Sequence, residues 1–574
     1  MEKISVNGRY FVPVLLLIVI TGMAFSNFPG FTDSHLKSKW YWLYLSVSFY
    51  GLFSIVSRSL VYKVDRTVLW LVPLFFYGLI RATEGLFVSS FLAISTLFVL
   101  IYLLFGTIIH KRFGALASSV TVVALFQALY GIGQWIGIIL PGERFTVIGN
   151  FDNPAGYASV LSISAPFILY FTFSDEKRKR YGALGVYAIV TIAVILSASR
   201  SGILSLIVSG FLYVTKRRGQ RPLKGRIWSK VILTSLIISV LTGLYVVKPD
   251  SANGRLLIWK CSGNMIQDKP FFGHGYRSFE AEYMLYQASY FKQHPDSKFA
   301  SLADNVKHPF NEFLRLTTEF GIVALLLLAF LVWNVIRIHR KKQTNESFTL
   351  ISTLSTIVVF SCFSYPFSYP FTWFIVACCI SGLSKSEEQK EMANRAHYFW
   401  KPAIALLSIF LIGYTIRSMY YDHKWHNIIY QNKQIGGVAI LSEYEQLYPH
   451  LKNDPYFLYN YATRANFAGD FSLSTKLTKK CEEILNDYDI EMLQGDNFQQ
   501  LGNIEWAEQH YWLAANMCPG RFMPLYKLVN LYDSIGHSEQ ADSIARVIML
   551  KPEKIPSGAI SAIKIRMKKR FEKK

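Results

Sequence analysis

Acidic side chains are scarce in this chain: 38 Asp and Glu stand against 60 Lys and Arg in 574 residues. Charge of either sign is also thin, at 17%, while 52% of residues are hydrophobic and 16% aromatic. So little charge excludes an ordinary soluble protein of this size, whose surface needs more polar cover. Only six cysteines are present, too few to specify a disulfide scaffold. Cys362, Cys378 and Cys379 fall in apolar runs and read as packing residues. A Cys481–Cys518 bridge is conceivable, but nothing in the sequence fixes their separation. No Cys or His cluster has zinc-ligand spacing, so neither a resident metal nor a cofactor is expected.

The apolar residues are concentrated between positions 10 and 417, in runs near the ~20 residues that cross a bilayer. Candidate spans are 10–28, 40–57, 67–81, 85–107, 113–140, 155–174, 182–198, 202–215, 231–247, 313–336, 348–364, 366–383 and 399–417. Loop charges test the order, because inner loops accumulate Lys and Arg. With the N-terminus inside, inner segments carry Lys3 and Arg9, then Arg58, Lys63 and Arg66, then Lys111 and Arg112. Further along they carry Lys177 to Arg180, the stretch from Lys216 to Lys230, then Arg337 and Arg340 to Lys342, and finally Lys385, Lys390 and Arg395. The alternate loops hold scattered cations such as Lys37, Lys39, Arg81 and Arg144. This alternation places the hydrophilic loop 248–312, and everything after 417, outside. Most of the formal charge of +22 is then topology signal plus a basic tail, and no nucleic-acid partner is expected. The N-terminus resembles a signal peptide but is read as an uncleaved first span.

The expected fold is all-α: a polytopic transmembrane bundle over 1–417, with the outer loop 248–312, and an α-helical domain over 418–574. In the latter, Gly469, Gly502 and Gly536 recur near a 34-residue period, with Ala507, Ala514 and Pro519 in one register and Ala541 and Pro552 in the next. The pattern looks like tetratricopeptide repeats over about 430–556, whose concave face suits a protein or peptide partner; an ordinary helical domain is the plainer alternative. Asp487 and Asp489 form an acidic triplet of a kind that binds metal–nucleotide diphosphates, yet with no nucleotide-binding pattern nearby a solvated turn is the simpler reading.

Polar residues where apolar segments meet the outer face are the candidates for chemistry. Arg200 lies in Leu196-Ser197-Ala198-Ser199-Arg200-Ser201-Gly202, and its planar fork suits a phosphate, although an interfacial Arg can also simply reach lipid headgroups. Arg255 opens the loop in Asn253-Gly254-Arg255-Leu256-Leu257-Ile258-Trp259, followed by a glycine turn at Gly273-His274-Gly275. His308 stands where the loop re-enters the membrane, in His308-Pro309-Phe310-Asn311-Glu312-Phe313-Leu314; an imidazole there can accept a proton, with His274 and His294 as competitors. Two cations and one base are what transfer from a lipid diphosphate needs: the arginines hold the diphosphate and stabilise the leaving group, and the base deprotonates an attacking hydroxyl.

The ordered set Gly149-Asn150-Phe151-Asp152-Asn153-Pro154-Ala155-Gly156-Tyr157, Ser199-Arg200-Ser201-Gly202, Gly254-Arg255 through Trp259 with Pro270 and Gly273-His274-Gly275, and His308 with Asn311-Glu312-Phe313-Leu314, Glu319 and Gly321 resembles the bacterial O-antigen ligase superfamily. That family includes O-antigen polymerases and protein O-oligosaccharyltransferases, and the likeness covers roughly 60–380. It implies an inner-membrane enzyme with a periplasmic loop. The donor would be a glycan on undecaprenyl diphosphate, transferred with inversion and without metal to lipid A–core, to protein or to a growing glycan. It also implies Arg200 and Arg255 as diphosphate ligands, His308 as base, and Asn153, Tyr157 and Asn311 as pocket residues. The C-terminal repeats, absent from the simplest ligases, favour a protein acceptor or a docked partner. A transporter of lipid-linked glycans and a membrane scaffold are the non-enzyme alternatives.

Overall fold

The structure, a computed structural model of the chain, describes residues 6–56, 66–83, 87–142, 144–217, 249–384, 393–431 and 440–572. The span expected at 231–247 lies outside the described residues, as do Lys3, Arg58, Lys63, Lys385 and Lys390 and most of the basic stretch 216–230. Regular structure among the described residues is entirely helical. The membrane part comprises α1 (Val6–Phe25), α2 (Ser34–Val56), α3 (Arg66–Thr83), α4 (Val88–Trp135), α5 (Pro154–Tyr170), α6 (Lys177–Leu196) and α7 (Arg200–Arg217). The loop contributes α8 (Pro249–Asp268) and α9 (Ser278–Gln293), after which come α10 (Glu312–Lys342), α11 (Asn345–Ser361), α12 (Pro370–Ser384) and α13 (Ala393–Gln431). The C-terminal helices are α14 (Leu441–Leu451), α15 (Pro455–Phe467), α16 (Phe471–Glu482), α17 (Tyr488–Gln500), α18 (Ile504–Met517), α19 (Met523–Ser534), α20 (Ser538–Leu550) and α21 (Gly558–Glu572).

The chain is a multi-pass membrane protein. Six described helical stretches are long and apolar enough to cross a bilayer: Val88–Gly106, Ile108–Trp135, Pro154–Phe173, Lys177–Leu196, Glu312–Lys342 and Trp400–Tyr430. Large apolar side chains such as Phe76, Phe126, Leu326 and Trp333 point out of the bundle, as a hydrocarbon solvent permits. The separate spans expected at 85–107 and 113–140 are two arms of α4, broken where Arg112 leaves helical geometry (φ −143°, ψ 47°). The division expected at 417 falls inside α13, which runs on to Gln431 without a break.

Helix α5 is the centre of the bundle. Asn153 caps it by accepting from the Ala155 and Gly156 amides, Pro154 fixes its first turn, and residues Gly156 to Leu169 are all buried. Small residues let its neighbours approach. A side chain at Gly202 on α7 would lie 3.0 Å from the Ala158 side chain, and Ser162 donates to the Gly202 carbonyl at 3.2 Å. The expected outer loops gather at one end: Asp422 binds Lys37, Arg81 donates to the Gly273 carbonyl, and Asn153 reaches Tyr369.

At that end the turn Pro270–Gly275 is stitched to a break in α10. The His274 and Gly275 amides donate to the Thr318 and Glu319 carbonyls, and the Ile322 amide donates to Pro270. Gly321 sits at φ +70°, where a Cβ would fall 2.1 Å from the Phe271 carbonyl oxygen. Only glycine fits both the backbone angle and the space.

The C-terminal helices pack on their chain neighbours in succession, with Asp454, Asp470, Asp487 and Asn503 capping α15, α16, α17 and α18. All six cysteines are free. The conceivable Cys481–Cys518 bridge does not form, because the two thiols belong to different apolar cores.

Candidate active site

Arg200 opens α7 directly after a tight hairpin from α6. The hairpin turns at Ala198, whose φ of +54° is costly for a residue with a side chain. The Ser199 hydroxyl receives the Gly202 amide. Gly202 is consumed by packing against α5, and that packing sets Arg200, half-buried, at the rim of the bundle.

Arg255 lies on α8, also half-buried, with its guanidinium 5.2 Å from the centre of the Phe310 ring. Burial pushes its pKa down to about 10, and the nearby Arg200 charge adds to the fall, while Tyr365 acts the other way. The group stays cationic at neutral pH. Two guanidinium groups within electrostatic reach of each other repel, and an anion between them would relieve the repulsion.

His308 belongs to the short stretch that joins α9 to α10. The Trp259 indole donates to the Pro309 carbonyl at 2.9 Å, and Asn311 caps α10 by accepting from the Phe313 and Leu314 amides. Phe310 between them adopts φ +53°, a second strained position beside a candidate site residue. The His308 ring stacks on Tyr365 with centroids 4.6 Å apart and planes at 29°. Its Nδ1 is shielded from solvent and has no hydrogen-bond partner among the described residues. Burial pulls the imidazole pKa down to about 4; Arg315, Lys307 and Arg277 add to the fall and Glu280 opposes it. The ring is therefore neutral at neutral pH, with a lone pair to offer.

The competing histidines are engaged. His274 pairs with Glu282 at 2.5 Å and with the Met265 carbonyl through its other nitrogen at 2.8 Å. His294 contacts its own helix at the Tyr290 carbonyl and stacks on the Tyr290 ring.

The remaining expected pocket residues divide. Asn153 donates to the Tyr369 hydroxyl at 2.8 Å and to Asp152 at 2.6 Å, so it faces the site. Tyr157 does not: it is fully buried, packed against Gly131 and Gly149 with its hydroxyl directed at the Ala128 carbonyl. It supports the Gly149–Asn153 turn from beneath, a correction to its place as a pocket residue. Asn311 spends its side-chain oxygen on the helix cap. Asp487, likewise, caps α17.

Two tyrosines missing from the sequence reading complete the site. Tyr365, in the linker between α11 and α12, touches His308 on one side and Phe310 on the other, and stands 6.5 Å from Tyr369. Tyr369 donates to Asp152 and receives Asn153. The aromatic pair thus links most of the segments: Arg255 reaches Phe310, Phe310 and His308 both meet Tyr365, and Tyr369 joins the start of α5, while Arg200 lies within electrostatic reach of Arg255. Behind them, Arg277 with Glu280 (3.1 Å) and Arg315 with Glu319 (3.0 Å) form a buried charge network. Pro366-Phe367-Ser368, between two polar-edged aromatic residues, is the one sequence signal that marks this linker as more than a tight turn. Elsewhere, Glu482, Glu491 and His510 bring potential ligand atoms within 4.8 Å of one another, where His510 and Glu491 already share a 2.6 Å contact.

Such an arrangement can bind a dianion at the arginines and accept a proton at the imidazole, under an aromatic wall suited to sugar faces. Comparison with known proteins agrees with the resemblance read from the motifs. Residues 185–329, which contain Arg200, Arg255 and His308, match the family model described as O-Antigen ligase. Similar curated proteins are named as candidate polysaccharide ligases. One from Rickettsia felis is 27% identical over 197 residues, 33% of this chain and 47% of the relative. One from Rickettsia typhi is 23% identical over 266 residues, 44% and 63%. One from Rickettsia prowazekii is 23% identical over 395 residues, 63% and 88%. The chain spans about half the length of the Rickettsia felis relative it matches.

Proposed function

We propose that this chain, a membrane protein of the O-antigen ligase family, transfers a glycan from undecaprenyl diphosphate to an acceptor on the outer face of a bacterial inner membrane. The observation that carries the reading is the chain of contacts from Arg255 through Phe310 and Tyr365 to His308, whose Nδ1 has no hydrogen-bond partner among the described residues, with the Arg200 charge within electrostatic reach of Arg255.

In the proposed step an acceptor hydroxyl attacks the anomeric carbon from the face opposite the diphosphate. The new C–O bond forms as the bond to the diphosphate oxygen breaks, and the electron pair leaves with undecaprenyl diphosphate. The acceptor proton passes to His308. Arg200 and Arg255 grip the diphosphate and stabilise the charge that grows on it, so the arginines supply the electrostatic part of the catalysis. Attack from the opposite face inverts the anomeric centre.

Lipid A–core is the leading acceptor, with protein close behind; the helices after α13, read as tetratricopeptide-like, favour the second because they pack on the same loop that carries the base. In this orientation the N-terminus is cytoplasmic, and the loop and C-terminal helices are periplasmic.

The test is reconstitution. Purified protein in lipid, supplied with undecaprenyl-diphosphate glycan and either lipid A–core or acceptor protein, should release undecaprenyl diphosphate and form product. His308→Ala should abolish product while the protein stays folded and inserted. Full activity in that variant would remove His308 from the reaction. Absence of any transfer by the wild type, with donor bound, would favour a transporter.

A further inference from the structure

Of the four residues that precede His308, three, Asp304, Asn305 and Lys307, are held by the C-terminal helices. Asn305 is the most engaged. Its side-chain oxygen Oδ1 accepts from the Tyr488 backbone amide at 3.1 Å and from the Cys518 thiol at 3.8 Å. Its amide nitrogen donates to Asp489 at 2.9 Å and to Asp487 at 3.5 Å. On one side, Asp304 receives Arg521 at 2.7 Å, and Arg521 lies 4.2 Å from the centre of the Tyr488 ring. On the other, the Lys307 ammonium stands 4.4 Å from the centre of the Tyr456 ring. Gln287 of α9 bridges both parts by donating to the Asp304 and Met517 carbonyls.

These bonds rest on a shared apolar core. Leu257, Cys261 and Met265 of α8 and Phe279 and Tyr283 of α9 pack in one cluster with Tyr488, Met517 and Cys518. Loop and C-terminal helices therefore behave as one packed body. His308 sits at its edge, where the strained Phe310 and the stack on Tyr365 hand the chain over to the membrane helices.

We propose that Asn305 is a positioning residue for His308, which ties the base-bearing segment to the α16–α17 turn so that the C-terminal helices set where the imidazole stands against Tyr365. The inference rests on the reading of His308 as the base. A side chain that both donates and accepts is required, since its partners are an amide N–H and a thiol on one side and two carboxylates on the other. Asp at 305 would accept from Tyr488 but face Asp489 and Asp487 with like charge. Replacing Asp489 by Asn as well would restore a donor opposite it.

The experiment uses the full chain in lipid nanodiscs with Asn305→Asp, Asp489→Asn, the double variant, Tyr456→Leu and His308→Ala. Two quantities are read: kcat and donor KM for transfer, and the rate at which diethyl pyrocarbonate labels His308, followed by peptide mass spectrometry. Asn305→Asp should lower kcat about tenfold or more, leave donor KM within about twofold, and speed His308 labelling several-fold. The double variant should recover most of both, and Asp489→Asn alone should change little. Tyr456→Leu, at a position 39% exposed where folding is not at stake, should move both in the same direction by less, and it decides the matter if Asn305→Asp does not fold. Wild-type kcat and wild-type labelling in these variants would overturn the proposal, as would a loss in Asn305→Asp that the second substitution does not relieve. Activity retained by His308→Ala would instead sink the base assignment, and the labelling rates alone would then judge the positioning.

Discussion

The imidazole of His308 lies against the phenol ring of Tyr365, centroids 4.6 Å apart, and the same phenol ring meets Phe310, over which the Arg255 guanidinium is placed. Tyr365 thus stands, with Phe310, between the candidate base and the candidate anion ligand. Its own hydroxyl is pushed up to about 12, by burial first and by Asp152 second, so it is a neutral donor rather than a second base.

Removing that ring should separate the two functions. Tyr365→Leu is expected to slow transfer about tenfold or more, because both the imidazole and Phe310 lose a flat surface to pack on. Tyr365→Phe keeps the surface and should stay within about threefold of wild type. Steady-state kinetics of the two variants check this; equal, large losses in both would shift the weight from the ring to the hydroxyl.

Acid should affect free enzyme and donor complex differently. His308 is held near 4 by burial and by the cations around it, so in free enzyme it protonates only as pH falls towards that value. A folded-state pKa below the usual 6.5 means that the neutral, base-competent form persists through the whole range above. The profile of kcat/KM should therefore be flat, as far as this group is concerned, from pH 8 down to about 5.5. A bound diphosphate places negative charge beside the ring and favours imidazolium, so the acid limb of kcat should appear at higher pH than that of kcat/KM. An acid limb near 6.5 in kcat/KM would contradict the buried environment of the ring.

How much of this was legible in the sequence depends on how each residue contrasts with its surroundings. Arg200, Arg255 and His308 stand out because charge and imidazole are rare at the ends of apolar runs, and charge parity put all three at one end of the bundle. Tyr365 did not stand out, since one more aromatic residue in a chain with 34 tyrosines and 43 phenylalanines carries no contrast. The motif puts Tyr157 beside pocket neighbours, yet the fourth side chain of a helix can face the core, as the approach of Tyr157 to Gly131 demonstrates. The pairing of Asn305 with Asp487 and Asp489 joins residues more than 180 positions apart, and no local pattern encodes it. Hydropathy falls near 417 and marks a boundary there, whereas the helix α13 continues to Gln431.

Gly321 should be irreplaceable for packing rather than for chemistry. A methyl group there meets the Phe271 carbonyl oxygen at 2.1 Å and forces a residue with a side chain to φ +70°. Gly321→Ala is expected to cost about 2 kcal/mol or more, since backbone strain and steric overlap add. Thermal unfolding in detergent would read the loss, with Gly182→Ala, inside α6 where nothing lies within 4 Å, as the control that should lose no stability.

The last prediction concerns the arginines. Arg255→Lys keeps the positive charge but loses the planar, two-pronged donor set and the broad face laid over Phe310. If the diphosphate is bound by a point charge alone, the variant should work nearly as well as wild type. If it is bound through paired N–H donors whose grip tightens as charge moves onto the leaving group, kcat/KM should fall tenfold or more, about 1.4 kcal/mol or more in the transition state. The second outcome is expected, because the guanidinium is held over the Phe310 ring with its N–H donors fixed in one plane, an arrangement an ammonium on a flexible stem cannot reproduce. Steady-state kinetics of wild type and Arg255→Lys at neutral pH check this, and a variant whose kcat/KM stays within about twofold of wild type would assign the site to charge alone.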